Sequence, residues 1–414
     1  MKVLVVGGGG REHAIIKKLK QSKLVSKLFC APGNAGIEED AECAAILPND
    51  FAKLIDFVRL NEIDFTVVGS DEPLSLGIVD AFEAEGLKVF GPRKNAAILE
   101  SSKAFSKELM KKYKIPTAGY EVFSDYDQAL EYLRNTAFPT VLKADGLALG
   151  KGVLICEDFE QAARELKEMM CGSKFGGSGK TVVIEEFLTG PELTVLAFCD
   201  GKTLVPMVSS QDYKRVNSGN AGLNTGGMGA ISPSPNFAGV EGECRVKIFE
   251  PTLNALISEA IEFKGVIYFG LMACGDGVKV IEYNARFGDP ETQAVLPRLK
   301  TDLLEIFLAC EAGTLDKIKI EWEENAACCL ILASGGYPGD YEKGLEITGI
   351  ETVRGAEVYH AGTARIDGKL VTSGGRVLGV TAVAPTVAAA TKKAYTHAKG
   401  ISFENMHFRN DIGS

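Results

Sequence analysis

Lys2-Val3-Leu4-Val5-Val6-Gly7-Gly8-Gly9-Gly10-Arg11-Glu12 begins as an unbroken aliphatic run and stops at four glycines. A short apolar run bounded by turn residues predicts a strand buried on both faces. From Arg11 to about Lys20 the apolar residues Ala14, Ile15 and Leu19 recur at helical spacing. The pattern then repeats. Leu28-Phe29-Cys30-Ala31 is stopped by Pro32-Gly33-Asn34, Phe65-Thr66-Val67-Val68 ends at Gly69, and Lys88-Val89-Phe90 ends at Gly91-Pro92. Such alternation predicts an α/β, doubly wound parallel sheet with helices on both faces. Ligands of such sheets sit beyond the carboxyl ends of the strands, where the loops at 7–10, 32–36, 69–73 and 91–93 gather.

The glycine turn is not a dinucleotide fingerprint. Glu12 stands where the third glycine is needed, and the second strand ends in Ala31-Pro32-Gly33-Asn34 with no acid for a ribose hydroxyl. The turn still offers backbone N–H groups at a helix start, which makes Gly8, Gly9 and the facing Asn34 candidates for a phosphate or sugar contact. The bland alternative is a plain tight turn.

Composition narrows the function classes. The 414 residues suffice for two to four domains. Lysine plus arginine is 45 against 55 acids, a net charge of −10, which disfavours a general nucleic-acid binder. No apolar run approaches the roughly 18 residues of a membrane helix, and the N-terminus reads as a strand rather than a signal peptide. Ten scattered cysteines without a C-x-x-C pair argue against disulfides and structural zinc, and for a reducing cytosol.

Residues 101–115 read as a helix begun by Ser101-Ser102 and ended before Pro116, after which the pattern changes. Strands at 140–143, 153–155 and 181–186 surround a helix at 159–171, with a loop of mostly small or polar residues at 172–180. This predicts a small α+β module inserted in a larger body. Between 194 and 300 a mixed sheet is expected, with helices near 241–263 and 292–310. From 325 the chain reads as β-rich, with a helix near 386–398. The expected divisions are 1–100, 101–324 with a lid at about 117–190, and 325–414.

Several loops carry chemistry. Lys143 ends a strand and is followed by Ala144-Asp145-Gly146-Leu147-Ala148-Leu149-Gly150-Lys151-Gly152. One strand-borne cation and a glycine-rich loop with a second suit a triphosphate, although the Walker A spacing is absent; ordinary surface lysines are the alternative. Glu185-Glu186-Phe187-Leu188-Thr189-Gly190-Pro191-Glu192 leaves a strand end, where backbone groups can read an adenine edge and Glu192 can meet ribose hydroxyls. A solvated acidic strand end is the plain reading. Period two puts Glu282 and Asn284 on one strand face, two hard oxygen donors suited to Mg²⁺ on phosphates. Arg286, Asp289 and Glu291 crowd the turn that follows. Arg286 has the fork for an oxyanion clamp, against the simpler reading of an internal salt bridge. Asp212 and Lys214 lie in one further loop, and Asn224, Thr225, Gly226 and Gly227 form another with the composition of an anion nest.

Taken together these residues resemble the ATP-grasp ligases and, among them, the glycinamide ribonucleotide synthetase family. The resemblance runs nearly end to end. It is carried by Gly9-Gly10-Arg11-Glu12-His13-Ala14, Ala31 to Gly36, Lys143 to Ala148, Ser210-Gln211-Asp212, Asn224 to Ala230, Asn284 to Glu291 and Gly335-Gly336-Tyr337-Pro338-Gly339. It implies an ATP-grasp central domain, a β-rich C-terminal domain, and ATP-dependent joining of glycine to 5-phosphoribosylamine through glycyl phosphate, in the cytoplasm and as a monomer. It also implies ATP contacts from Lys103, Lys143, Asp145, Gly146, Gly150, Lys151, Gly152, Glu185, Glu186, Leu188 and Glu192, and Mg²⁺ (or Mn²⁺) at Glu282 and Asn284. The acceptor and glycine would meet Gly8, Gly9, Asn34, Asp212, Lys214, Asn224 to Gly227, Arg286, Asp289 and Glu291, with Lys143, Asp212 and Arg286 as catalytic candidates. Three places depart from the family pattern: Leu149, the stretch Asn217 to Leu223, and Gly270-Leu271-Met272, where a further acidic metal ligand is often found.

Overall fold

The structure, a computed structural model, describes residues 1–147, 152–172 and 176–414. Leu149, Gly150 and Lys151 lie outside the described residues, as does 173–175 of the expected loop. The N-terminal sheet has five parallel strands in the order Glu42–Cys43, Lys27–Pro32, Lys2–Gly7, Phe65–Val68, Val89–Phe90. Val3, Leu4, Val5 and Val6 are all fully buried, as a strand covered on both faces requires. Helix Gly10–Leu19 leaves the glycine turn directly.

A four-stranded antiparallel sheet forms the small module, ordered Tyr120–Phe123, Val182–Glu186, Thr140–Ala144, Val153–Cys156. Helices Tyr126–Arg134 and Phe159–Cys171 cover it, and Leu133, Leu142, Leu166 and Ile184 make a core of its own. Each helix starts on an aspartate whose side chain accepts a backbone N–H, Asp125 from Gln128 and Asp158 from Gln161.

The central sheet corrects the expectation of mixed pairing. Its order is Leu204–Pro206, Glu192–Asp200, Lys264–Cys274, Gly277–Asn284, and every pair is antiparallel. Only two residues separate the last two strands, a connection that permits nothing but a hairpin. The helix expected near 292–310 is also interrupted. Glu291–Val295 tightens into a turn at Leu296–Arg298, Leu299 is extended, and a new helix runs Leu303–Ala312 with Asp302 as its cap. Near 241–263 the helical stretch ends at Ser258 and contains a wider π turn at Arg245–Phe249.

The last sheet joins distant parts of the chain, in the order Gln211–Asp212, Gly229–Ser232, Ala326–Ala333, Arg376–Ala384, Glu357–His360. Helix Val387–Ala398 packs against it through Ala390, Ala394 and Ala398. Two apolar clusters fuse the N-terminal and central sheets. One holds Leu4, Phe29 and Phe82 with Leu193, Ile267 and Phe269; the other holds Val3, Val5 and Phe65 with Leu196, Phe198 and Phe307. The parallel sheet's ligand end is thereby fixed beside the strand end at Asn284.

Candidate active site

Strand Gly277–Asn284 carries a bulge. Gly270 pairs with Glu282 while Leu271 pairs with Val280, so Ile281 is an extra residue. The phase shifts by one, Val278, Val280 and Tyr283 are buried, and Glu282 and Asn284 leave the core together. The doubled apolar pair Val280-Ile281 is the sequence signal of this break. The Ile281 carbonyl accepts a hydrogen bond from Lys143 Nζ at 3.1 Å.

Lysines from separate elements converge here. Lys143 Nζ lies 2.9 Å from Glu185 Oε2, and Lys107 Nζ lies 3.0 Å from the same atom, with all three side chains almost fully enclosed. Lys107 also donates to Thr117 Oγ1 at 2.7 Å, and burial pushes its ammonium down to about 8. Lys103, at the start of helix Lys103–Lys112, donates to the Gly146 carbonyl at 2.9 Å. Lys214 reaches Glu192 at 3.4 Å and Glu282 at 3.7 Å. Burial alone would raise the Glu282 pKa, but Lys214, Lys143 and Lys103 hold it below the usual carboxylate value.

Glu282 and Asn284 therefore offer one anionic and one neutral hard oxygen on the same face. Gly270 stands opposite Glu282, so the preceding strand adds no acid there. Among the described residues no cluster of three or more His, Cys, Asp or Glu is placed to hold a metal. This donor set fits a divalent cation that takes its remaining ligands from phosphate oxygens.

Some candidate groups are already engaged. Asp145 accepts from Ala104 N at 3.1 Å and Ser102 Oγ at 3.3 Å, tying the start of its loop to the helix N-terminus. Glu186 accepts from Gly119 N at 3.2 Å. The Asn34 amide donates to Gly8 O and His360 O and accepts from Gly36 N and Ile37 N, so it is spent on the turn. Glu12 folds back into the glycine turn, accepting from Gly9 N at 2.7 Å and Arg11 Nε at 2.7 Å. A Cβ on Gly69 would lie 2.4 Å from its carboxylate, so the glycines make room for Glu12. The 224–227 loop is not an open anion nest. Gly226 N–H goes to Tyr337 Oη at 3.0 Å, Gly227 N–H to Thr225 Oγ1 at 3.0 Å, and Thr225 N–H to the Lys214 carbonyl.

Arg286 makes the internal ion pair. Its Nη2 sits 2.9 Å from Glu100 Oε1 and 3.4 Å from Asn284 Oδ1, while buried Nε has no protein partner. Glu100, on helix Lys94–Ser101, also accepts from Ala285 N at 2.8 Å; burial raises its pKa against the pull of Arg286. Asp289 is held by Gln293 at 2.7 Å and Arg376 at 3.2 Å, not by Arg286. Asp212 and Glu291 form an acidic pair whose pKa values are pushed up by burial, Asp212's further by the charge of Glu291, and Asp212 Oδ1 is buried without a hydrogen-bond partner. Sequence reasoning missed Lys107, Glu100, Tyr337 and Arg376. Two carried a signal: Glu100 as the one acid following the apolar stretch Ala96 to Leu99, and Tyr337 as part of the Gly335 to Gly339 motif, which pointed to no role.

Comparison with known proteins shows the family. Residues 1–100 match the phosphoribosylglycinamide synthetase N domain, 101–292 its ATP-grasp (A) domain and 327–414 its C domain. The chain is 52% identical to the phosphoribosylamine–glycine ligase of Caldanaerobacter subterraneus subsp. tengcongensis over 415 residues, covering 100% of both. The crystal structure of the Thermotoga maritima phosphoribosylamine–glycine ligase superposes with a TM-score of 0.86 at 35% identity, covering 100% of both chains. The biotin carboxylase domain of Hydrogenobacter thermophilus 2-oxoglutarate carboxylase, solved with MgADP and bicarbonate, gives a TM-score of 0.73. At 16% identity, covering 98% of this chain and 91% of that one, it shares the fold.

Proposed function

The chain belongs to the phosphoribosylglycinamide synthetase family, and on that premise we propose how its residues divide the work of joining glycine to 5-phosphoribosylamine. It is an ATP-dependent carbon–nitrogen ligase of purine biosynthesis, forming glycinamide ribonucleotide, ADP and phosphate. The observation that carries the assignment of roles is the convergence of Lys103, Lys143 and Lys214 on Glu282.

Glycine's carboxylate attacks the γ-phosphate of ATP to give glycyl phosphate and ADP. The ribosylamine nitrogen then attacks the glycyl carbonyl and phosphate leaves. Lys103 and Lys143 bind the nucleotide's phosphates, with Asp145, Gly146 and Gly152 in the loop beside them; Gly150 and Lys151 complete that loop in sequence. Glu185, Glu186 and Leu188 line the adenine side and Glu192 the ribose. Glu185 does so indirectly, by holding Lys107 and Lys143 in place. Glu282 and Asn284 would hold Mg²⁺ (or Mn²⁺), which supplies positive charge to the oxygens of the transferring phosphoryl group. Arg286, set by Glu100, faces the glycine or phosphate oxygens with its remaining donor. Asp212 Oδ1 receives the proton that the attacking amine sheds; its burial and lack of a partner support that role. Gly8, Gly9, Asn34, Lys214, Asn224 to Gly227, Asp289 and Glu291 form the walls of the acceptor side.

The proposal includes division at 1–100, 101–324 and 325–414, with the strands at 211–212 and 229–232 lent to the last sheet. It also includes a monomer acting in the cytoplasm, on family resemblance. An ADP-release assay tests the whole. Turnover is expected only with glycine and the ribosylamine together, and turnover with formate or bicarbonate replacing glycine overturns it.

A further inference from the structure

We propose that Arg376, assisted by Tyr337, is the positioning residue that sets the acceptor side of the active site by clamping the 224–227 loop to the 289–290 turn. The inference rests on the reading above, which puts the ribosylamine beside Asp212 and these loops.

Arg376 begins strand Arg376–Ala384, far from either loop in sequence. Its Nη1 donates to Gly226 O at 2.7 Å and to Asp289 O at 2.8 Å, and lies 3.2 Å from Asp289 Oδ1. Among the described residues no direct hydrogen bond joins 224–228 to 286–293. One guanidinium nitrogen is the polar link between them. Tyr337 holds the same residue through the preceding peptide, accepting the Gly226 N–H at 3.0 Å. The fit is close: a Cβ on Gly227, at φ +110°, would lie 2.6 Å from Asp212 Oδ1 and 2.4 Å from Pro290 Cδ. Gly227 thus brings the clamped loop against the unpartnered oxygen of Asp212, so the clamp fixes where an amine can approach that oxygen. Charge supports the geometry, because Asp289, Asp212 and Glu291 all attract the Arg376 guanidinium, with Lys214 a second cation beside Asp212 and Glu291. The Gly335 to Gly339 motif acquires a purpose here that nucleotide binding does not give it.

Kinetics of three single variants and one double variant test the clamp, with the ribosylamine generated in situ from ribose 5-phosphate and ammonia. A shift of an active-site group by about 1 Å can cost on the order of 10²-fold. Arg376→Ala is therefore expected to lower kcat/KM for the ribosylamine by about 10²-fold, while the Kd for ATP changes by less than about twofold. Tyr337→Phe, which removes one hydroxyl, should lower it about fivefold. Arg376→Lys, retaining charge and a donor, should recover part of the loss. Because both side chains hold one residue, Gly226, the Arg376→Ala/Tyr337→Phe double variant should lose less than the product of the single effects. Equal losses for ribosylamine and ATP, or normal kcat/KM in Arg376→Ala, would overturn the clamp. If the unmodified protein fails to require the ribosylamine at all, the underlying reading fails instead. Should Arg376→Ala not fold, Tyr337→Phe and Arg376→Lys still decide, since unchanged ribosylamine kinetics in both would defeat the idea.

Discussion

Glu100→Gln tests whether the buried partner of Arg286 is functional. The carboxylate serves two donors, Arg286 Nη2 at 2.9 Å and Ala285 N at 2.8 Å. Glutamine has one acceptor oxygen, so its NH₂ must face one of these donors, and an unmet buried donor costs about 1–3 kcal/mol. The ion pair is lost as well. Unit charges 4 Å apart at an effective dielectric of 20 attract by about 4 kcal/mol. Part of that returns, because the neutral amide avoids the burial penalty that already raises the Glu100 pKa. A net loss of about 3 kcal/mol follows, within the range for breaking a buried pair. Arg286 also touches Asn284 Oδ1, so a released guanidinium disturbs the proposed metal ligand. We expect kcat/KM for glycine to fall about 10- to 100-fold. Urea unfolding gives the stability and ADP release with varied glycine gives the kinetics. Lost stability with normal kinetics would reduce Arg286 to a structural ion pair. Stability within about 0.5 kcal/mol of the parent would refute the energetic reasoning itself.

Glu282→Gln should lower kcat by about 10²-fold and raise the Mg²⁺ concentration for half-activity, since an amide is a poorer hard-cation ligand; near-normal kcat would mean that the site is misplaced. Lys143→Met should weaken ATP use and free Glu185 to pair with Lys107 alone, read as a raised KM for ATP. Burial lowers the His360 pKa to about 3 from 6.5, so the unfolded chain takes up a proton below pH 6.5 that the folded chain refuses. Stability from this group is present above pH 6.5 and lost as pH falls, by about 1.4 kcal/mol at pH 5.5. Thermal unfolding of the parent and His360→Gln at both pH values checks this, and equal pH slopes would contradict it. Arg286→Lys, which cannot reproduce a forked contact, should raise KM for glycine while ATP binding stays near normal.

Legibility followed the range of the interactions. Helix Phe159–Cys171 was readable because its cap Asp158 and its stop at Gly172 are local. The parallel sheet was readable from buried runs that each end in glycine. Pairing direction in the central sheet and the break near Leu299 depended on how strands and turns meet, and periodicity does not encode that. In the proposed site, the common face of Glu282 and Asn284 was legible by type and spacing, and the structure sets Lys143 against the same strand end. The state of the 224–227 loop was not, because its N–H groups are consumed by Thr225 two residues away and by Tyr337 more than a hundred away. Glu12 shows the same limit: the glycines looked ready for a phosphate, and a side chain of the same turn lies there.

The extra residue at Ile281 makes strand length a functional quantity. Because Leu271 already pairs with Val280 and Gly270 with Glu282, deleting Ile281 would restore regular pairing with Tyr283 still inward and Glu282 and Asn284 still outward, whereas flattening the bulge at full length would turn Tyr283 toward solvent and drive Glu282 and Asn284 toward Phe269. The hairpin tip at Gly275 and Asp276 sits beyond the paired register and bears no such constraint. Length variants of this chain should therefore tolerate an inserted residue at 275–276, while deletion of Ile281 should keep both faces and remove the carbonyl that holds Lys143, read as a raised KM for ATP. That contrast is set by one backbone carbonyl rather than by any side chain of the strand.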